Sequence, residues 1–278
     1  MSNSSEDDID LGEELKNVDI DSYHNFFNYL KGTNSYIKKS VLFNFIKQSG
    51  ISLDDNRIKS DLDLLDDKII ESDFIDLINT NILLFKKIFE KDLIISDWMN
   101  FTKNIDSIYN NLIDYDKGKI ADYIPQLANV NPNLFSVSIC SIDGQIYNKG
   151  DYNSEFCVQS CSKPITYLIA SDLLGGDYVH NFVGREPSGR NFNELCLNND
   201  KIPHNPLINS GAIMCASLID YKNSLANRFD KIIKYWSKLA ANSKINFSTS
   251  VYLSERASAD RNNCLAYMMQ ESKAFSDG

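Results

Sequence analysis

The stretch Phe156-Cys-Val-Gln-Ser-Cys-Ser-Lys-Pro164 places a serine and a lysine three residues apart at the start of a predicted helix, which runs from Ser160 to Leu174. Residues i and i+3 of a helix project from one face, so the Lys163 amine can reach the Ser160 hydroxyl. Serine is a weak nucleophile that needs a base, and a lysine becomes one when burial or a nearby cation lowers its pKa. The spacing therefore predicts a lysine-activated serine, although the exposed start of an ordinary helix is also compatible with these residues alone.

The sequence after Gly118 contains both strand and helix signals. Residues 135–140 alternate apolar and polar side chains, and Asp143-Gly144 is a hairpin signal that predicts a second, antiparallel strand after it. Further helices are predicted over residues 209–218 and 229–241, after a loop rich in Gly and Pro. A strand hairpin combined with helices indicates an α+β fold.

Residues 22–119 show helical periodicity instead. Apolar side chains recur there at spacings of three and four, for example from Phe74 to Phe89, and predict a bundle of short amphipathic helices. All six prolines lie after residue 124, and residues 1–120 carry 14 basic and 23 acidic side chains, a net charge of −9. We therefore predict a disordered tail over 1–18, a helical bundle over 19–117 and a second domain over 118–278.

The net charge of the whole chain is −10, which argues against nucleic acid and anionic membranes as partners because their phosphates would be repelled. No apolar run approaches the roughly 18 residues of a membrane span. Met1–Leu15 contains six acidic residues and no basic one, unlike a secretory signal or a mitochondrial transit peptide. The sequence as given is predicted to be cytoplasmic, and a mitochondrial location would require a longer N-terminus.

No metal site is predicted. The six cysteines are expected to be reduced and buried as small apolar side chains, since Cys157 and Cys161 have the wrong spacing for a zinc knuckle. Asp61 begins a segment like a calcium-binding EF-hand loop, but Asp66 replaces the glycine at its sixth position and Ser72 replaces the glutamate at its twelfth. We expect a solvated helix face at this segment.

Several longer segments, in a fixed order, resemble the serine-dependent glutaminase family. Besides residues 156–164, these segments are Ala121-Asp-Tyr-Ile-Pro-Gln-Leu127, Tyr178-Val-His-Asn-Phe-Val-Gly184, Glu186-Pro-Ser-Gly189, His204-Asn-Pro-Leu-Ile-Asn-Ser-Gly-Ala-Ile213, Ser254-Glu-Arg256 and Asp260-Arg-Asn262. The bundle also resembles the EF-hand-like bundle that precedes the catalytic domain in the animal kidney/liver-type members.

The resemblance implies hydrolysis of L-glutamine to L-glutamate and ammonia, without a cofactor or metal, on a serine β-lactamase-like (DD-peptidase-like) fold. Ser160 resembles the family's nucleophile, which forms a γ-glutamyl ester and also contacts the substrate. Lys163 resembles the partner that activates the nucleophile. Tyr123 resembles a tyrosine that closes over the substrate.

Three further residues resemble those that hold the amino-acid end of glutamine, namely Asn209, Glu255 and Asn262. The carboxylate of Glu255 can pair with the α-ammonium group, and the two amides can donate hydrogen bonds to the α-carboxylate. The resemblance assigns no catalytic role to His180 or His204, for which we expect structural roles.

The resemblance also bears on assembly and completeness. Residues 189–199 resemble a loop near the active-site mouth and the dimer–dimer contact of kidney-type enzymes, so we expect a homo-oligomer, a dimer or tetramer, when the protein is complete. The family's catalytic domain continues beyond the part matched here, and we expect these 278 residues to be inactive on their own.

Two alternatives to a glutaminase remain. One is a non-catalytic product that associates with full-length glutaminase subunits. The other is a β-lactamase or penicillin-binding protein, because these proteins share the Ser-x-x-Lys motif. The second alternative requires a Lys-Thr/Ser-Gly strand, which the sequence lacks.

Overall fold

The computed structural model describes residues 23–241 and 245–276 of the protein, so the predicted tail over 1–18 lies outside the described residues. The chain divides into two compact units. Among the described residues, the first contains 23–118 and 132–154, and the second contains 119–131, 155–241 and 245–276.

The helices of the first unit each place apolar side chains on one face. They are α1 (Tyr23–Lys31), α2 (Lys39–Gln48), α3 (Lys59–Leu64), α4 (Glu71–Thr80), α5 (Ile82–Phe89) and α6 (Trp98–Leu112). The predicted helical character is confirmed. The apolar series from Phe74 to Phe89 belongs to two helices, because Asn81 ends α4 and its side chain accepts a hydrogen bond from Leu84 N at the start of α5.

The core of the first unit is rich in phenylalanine. Phe26 of α1 stacks on Phe89 of α5 with ring centroids 3.9 Å apart, and Phe74 and Phe85 lie against Phe89. All four side chains are almost fully buried. Burying one such side chain contributes about 1.5–3 kcal/mol, so this cluster is a main source of the unit's stability.

Two short strands, which the sequence analysis did not predict, join the helices in pairs. Strand β1 (Ile37–Lys38) lies between α1 and α2, and β2 (Lys68–Ile69) lies between α3 and α4. They pair antiparallel, with the fully buried Ile37 opposite Ile69. A two-residue strand is too short to show periodicity in a sequence, which explains why it was missed.

The predicted hairpin is confirmed as β3 (Ser136–Cys140) and β4 (Ile146–Gly150), with Cys140 opposite Ile146. Gly144 has a φ of +91°, a conformation that a hairpin turn requires and that side chains disfavour. The hairpin belongs to the first compact unit, although the sequence analysis placed it in the domain over 118–278. The hairpin joins the first unit partly because it packs against α6, where the ring of Phe135 stacks on that of Tyr109 with centroids 5.0 Å apart.

The second unit is built mainly from helices. They are α7 (Pro125–Ala128), α8 (Ser162–Leu174), α9 (Gly176–Val179), α10 (Asn209–Leu218), α11 (Leu225–Leu239), α12 (Thr249–Ala257) and α13 (Asp260–Glu271). Helix α8 ends at Gly175, which has a φ of +84° and so stops the helix as its sequence indicates. Helix α11 begins earlier than the predicted 229–241 because Ser224 caps its N-terminus by accepting a hydrogen bond from Asn227 N, and it ends at Leu239.

Helix α10 lies at the centre of this unit, against both α8 and α13. Its fully buried Met214, Cys215 and Leu218 pack with Ile169 of α8 and Met269 of α13. The prediction that the cysteines are buried holds for Cys215 but is wrong for the four exposed ones, namely Cys140, Cys157, Cys161 and Cys264. None of the described helices has both the length and the apolar character needed to cross a membrane.

Candidate active site

Ser160 lies in a short 3-10 turn, Gln159–Cys161, directly before α8. The preceding residue, Gln159, has a φ of +44°, a left-handed conformation that costs a non-glycine residue about 1–2 kcal/mol. The serine side chain is exposed. Backbone strain beside a candidate nucleophile is typical of functional sites, where the surrounding structure fixes the conformation.

Lys163 lies in the first turn of α8 and points to α10. Its Nζ donates a hydrogen bond to Asn209 Oδ1 at 2.8 Å, and burial lowers the pKa of its ammonium group. Among the described residues, no hydrogen bond joins Lys163 to Ser160, which the helical spacing had led us to expect. A lower pKa increases the fraction of neutral amine, the form that can accept a proton.

Asn209 connects the lysine to the last described helix. Its Nδ2 donates to Asn262 Oδ1 at 2.9 Å, so one chain of hydrogen bonds runs from Lys163 through Asn209 to Asn262. These residues come from α8, α10 and α13, the three helices that pack together in the core of the second unit. Helix packing therefore brings together three of the predicted site residues.

The start of α10, which carries Asn209, is held by close backbone packing. Gly211 faces the carbonyl group of Asn205 so closely that a Cβ atom would overlap it. The side chain of Asn205 in turn accepts a hydrogen bond from Leu207 N and donates one to Glu186 O. Glycine at position 211 thus allows the loop of residues 203–206 to fix where α10 begins.

Tyr123 and Glu255 form a second pair of predicted site residues. The Tyr123 hydroxyl donates to Glu255 Oε1 at 2.9 Å, although the two residues are 132 positions apart in the chain. Burial and the hydrogen bond to the carboxylate raise the pKa of Tyr123 to about 12. The tyrosine therefore remains a neutral hydrogen-bond donor over the physiological pH range.

Phe192 contacts the site in a way that the sequence analysis did not predict. Its ring lies 5.4 Å from Lys163 Nζ, and its backbone carbonyl accepts a hydrogen bond from Asn209 N at 2.9 Å. A cation over an aromatic face is attracted by the ring quadrupole. The available signal was the resemblance of residues 189–199 to a loop near the active-site mouth.

The two histidines that we assigned structural roles contact residues other than the predicted site residues. His180 Nε2 hydrogen-bonds with the Tyr167 hydroxyl at 2.8 Å, and its Nδ1 with Val183 O at 2.8 Å. The backbone carbonyl of His204 accepts a hydrogen bond from Glu186 N at 3.0 Å. Within residues 23–241 and 245–276, no group of three or more His, Cys, Asp or Glu side chains is arranged to hold a metal ion.

Comparison with solved structures relates the chain to glutaminases. A probable glutaminase, ybaS, superimposes with a TM-score of 0.58 at 30% identity, over 63% of this chain and 57% of that one. The native form of Mglu superimposes with a TM-score of 0.56 at 32% identity, over 62% of this chain and 42% of that one. The similarity to these two solved structures therefore covers the mixed, helix-rich fold described above.

Sequence comparison gives the same family. The putative glutaminase 2 of Caenorhabditis elegans is 44% identical over 208 residues, which are 75% of this chain and 34% of that protein. The mitochondrial liver isoform of glutaminase from Rattus norvegicus is 39% identical over 242 residues, which are 84% of this chain and 40% of that protein. The chain thus spans well under half the length of these relatives. The glutaminase family model matches residues 118–278, more than half of the chain, and the chain therefore belongs to the glutaminase family.

Proposed function

We propose that the complete protein hydrolyses L-glutamine to L-glutamate and ammonia, with Ser160 as nucleophile and Lys163 as its base. The observation that carries this proposal is the partly buried Lys163, whose pKa is lowered and whose Nζ is fixed by Asn209 one turn from the exposed serine. The family membership of the chain supports glutamine as the substrate.

The reaction proceeds in two steps. Ser160 Oγ attacks the side-chain amide carbon of glutamine while its proton passes to neutral Lys163, and the C–N bond then breaks as the nitrogen takes up that proton and leaves as ammonia. The product of this step is a γ-glutamyl ester on Ser160. Water then attacks the ester carbon, which releases glutamate and returns a proton to the serine oxygen.

The remaining site residues bind the amino-acid end of the substrate. The carboxylate of Glu255 pairs with the α-ammonium group, and the amides of Asn209 and Asn262 donate to the α-carboxylate. Tyr123 holds the Glu255 carboxylate by its hydroxyl, as the 2.9 Å hydrogen bond between them supports. In this role Tyr123 stays protonated, since its pKa is raised to about 12.

The ester intermediate provides the test of this mechanism. A completed chain can be made by joining these 278 residues to the remaining part of the catalytic domain of the rat liver glutaminase. After rapid acid quenching with L-glutamine, mass spectrometry is expected to find a glutamyl group on the peptide that contains Ser160. The Ser160→Ala variant is expected to carry none. A glutamyl group on Cys157 or Cys161 would refute the assignment of the nucleophile.

We also propose the finer fold assignment for each unit. The two helix–strand–helix segments joined by β1 and β2 support an EF-hand-like bundle over 19–117. The similarity of the chain to solved glutaminases supports a serine β-lactamase-like domain over 118–278. An experimental structure of the completed chain tests both assignments.

A second proposal is that the 278 residues act without catalysis by associating with full-length glutaminase subunits. Large apolar side chains exposed on the second unit favour it, for example Phe156 (79% exposed) and Leu225 (79% exposed). Co-purification with a full-length subunit, without ammonia release by the 278 residues alone, is the expected result.

We also propose that the completed chain is a homo-oligomer, as a dimer or tetramer. Light scattering tests this oligomeric state.

The location of the protein is a further proposal. The rat relative is named a mitochondrial protein, which supports a mitochondrial location for a longer form of this chain. For the 278 residues as given we keep the prediction of a cytoplasmic location. Imaging of tagged forms with the native upstream sequence and of residues 1–278 alone distinguishes the two locations.

A further inference from the structure

The side chains of Lys163, Asn209 and Asn262 fix one another's orientation. A lysine ammonium group offers donors and no acceptor, so the contact at 2.8 Å requires Asn209 to present its Oδ1 to Lys163 Nζ. The Nδ2 of Asn209 then faces Asn262, which must present its own Oδ1 at 2.9 Å. In the part of the chain that the structure describes, no hydrogen bond uses Asn262 Nδ2. The direction of each hydrogen bond along this chain therefore follows from the lysine.

The backbone of Asn209 is anchored as well as its side chain. Asn209 N donates to Phe192 O at 2.9 Å, and Asn209 is the first residue of α10. The next two residues of that helix, Ser210 and Gly211, are buried. A side chain that starts from a buried helix backbone has a well-defined position. Asn209 Oδ1 is thus an acceptor at a fixed place beside Lys163 Nζ.

An acceptor in this place determines how a neutral amine is presented. The neutral amine of Lys163 has two N–H groups and one lone pair, and Asn209 Oδ1 can only accept, so it takes an N–H group. The lone pair is then left for the proton of Ser160. Because Oδ1 is uncharged, it also stabilises the ammonium ion less than a carboxylate would. An amide therefore suits the partner of a base better than a carboxylate does.

We propose that Asn209 is the positioning residue of the base, which holds Lys163 Nζ through Oδ1 and links it through Nδ2 to Asn262. This role is additional to the substrate contact of Asn209, and it rests on the proposed function because it concerns the base of that reaction. A substrate α-carboxylate bound by Asn209 and Asn262 also fixes the amide that holds Lys163. Binding of the amino-acid end of glutamine thereby prepares the base for the reaction.

The charged groups around Lys163 leave its titration to this contact. Burial alone lowers the pKa of Lys163, and no charged group among the described residues contributes to that shift. Helix α10 carries no charged side chain, and Arg190 and Glu194 in the loop of Phe192 pair with each other at 2.8 Å. The other titratable side chains on the turn before α8 and at the start of α13 are those of Cys161, Asp260 and Arg261.

Titration of Lys163 in the 278-residue chain tests the contact without relying on activity. Amines are labelled with trace acetic anhydride over a range of pH, and mass spectrometry measures the labelled fraction of the peptide that contains Lys163. In Asn209→Asp a carboxylate replaces Oδ1 and stabilises the ammonium ion, so labelling at neutral pH is expected to fall roughly tenfold or more. The matched control is Asn262→Asp, which adds the same charge one contact further away and should have a smaller effect. Lys238, which is exposed in the last turn of α11, is the internal reference.

The completed chain tests the consequence for catalysis. Both Asp variants add a negative charge beside the substrate α-carboxylate, so both are expected to raise KM. Only in Asn209→Asp should the acidic limb of the kcat profile move to higher pH, because a raised pKa of Lys163 leaves less neutral amine. At neutral pH the kcat of this variant is expected to fall roughly tenfold or more.

A second pair of variants keeps the test decisive if Asn209→Asp fails to fold. Asn209→Ala removes the acceptor and is expected to lower kcat roughly tenfold or more, because Lys163 Nζ is no longer held. Asn262→Ala should mainly raise KM, since Asn262 does not contact the lysine.

Three results would overturn the role of Asn209. The first is a labelling curve of Lys163 that is unchanged in Asn209→Asp. The second is an equal shift in the two Asp variants, which would show an effect of charge without contact. The third is a loss in Asn209→Ala that is confined to KM. Failure of the proposed function looks different, because the unaltered completed chain would then release no ammonia from L-glutamine.

Discussion

Lys163 is the residue on which the proposed chemistry depends most. Its Nζ is fixed by Asn209 and covered on one side by the ring of Phe192, and burial lowers its pKa. A lower pKa increases the fraction of neutral amine at neutral pH, and only the neutral amine can take the Ser160 proton. Burial is therefore the feature that makes Lys163 a candidate base.

A double-mutant cycle in the completed chain tests whether Ser160 and Lys163 act as one unit. We expect Ser160→Ala and Lys163→Ala each to reduce kcat severely, because either change removes the route through the ester. The double variant should then be no slower than the slower single variant. Multiplication of the two single effects would show that the residues act independently and that the pairing is wrong.

Glu255→Gln is expected to raise KM in the completed chain roughly tenfold or more, because it removes the charge that pairs with the α-ammonium group. The effect on kcat should be smaller, since this contact already exists in the ground state. Steady-state ammonia release measures both constants, and Glu271→Gln at the exposed end of α13 is the matched control. A loss confined to kcat would contradict a binding role for Glu255.

The sequence analysis proposed individual site residues but not the hydrogen bonds between them. Ser160 and Lys163 are recognisable because they share one short motif. The hydrogen bond between Tyr123 and Glu255 spans 132 positions and depends on how α7 and α12 pack, which no local pattern encodes. For the same reason the contact of Lys163 with Asn209 was not predicted.

At the scale of elements, the 3-10 turn before α8 carries the strained Gln159. Replacing Gln159 by glycine should stabilise the protein by about 0.5–1 kcal/mol, because glycine adopts a φ of +44° without a steric penalty. Ser162→Gly is the control, since Ser162 has an ordinary φ of −70° at the start of α8 and should lose stability. Urea unfolding measures both. Equal destabilisation by the two changes would mean that position 159 is unstrained.

Among the described residues, no group of three or more acidic, His or Cys side chains is arranged to hold a metal ion in the helix–strand–helix segments of the bundle. The link between α1 and α2 has no acidic side chain from Gly32 to Lys38, and the link between α3 and α4 has two, Asp66 and Asp67. We therefore expect calorimetry with calcium to show no saturable binding at about 10 μM or tighter, the range of EF-hand sensors. Stoichiometric binding in that range would contradict the expectation.

Several helices of the bundle were predictable because their apolar stripes repeat over two or more turns, whereas α7, α9, α12 and α13 were not predicted. Phe26, Phe27 and Leu30 are buried on α1 as their spacing indicates. Strands β1 and β2 were not predictable, since their pairing joins residues that are 30 and 32 positions apart and each strand has only two residues. Local sequence patterns thus predict helices, whereas short strands such as β1 and β2 form through contacts between residues that are distant in the sequence.

At the scale of the whole molecule, the predicted domain boundary near residue 118 rests on composition, and composition carries no information on which unit the hairpin joins. The change in charge and proline content falls near residue 118, where the family model also begins. The hairpin over 132–154 nevertheless packs with the first unit, through polar contacts such as those of Gln145. A glutamine is usually exposed, so its residue type does not reveal that it is buried through hydrogen bonds to distant residues.

The most direct test of the central proposal compares ammonia release from L-glutamine and L-asparagine by the completed chain. We predict release from L-glutamine at least tenfold faster in kcat/KM, because one methylene group in a fitted pocket gives roughly 10–200-fold discrimination. We also predict that Ser160→Ala abolishes this release. Equal turnover of the two amides, or undiminished release by the Ser160→Ala variant, would contradict the proposal.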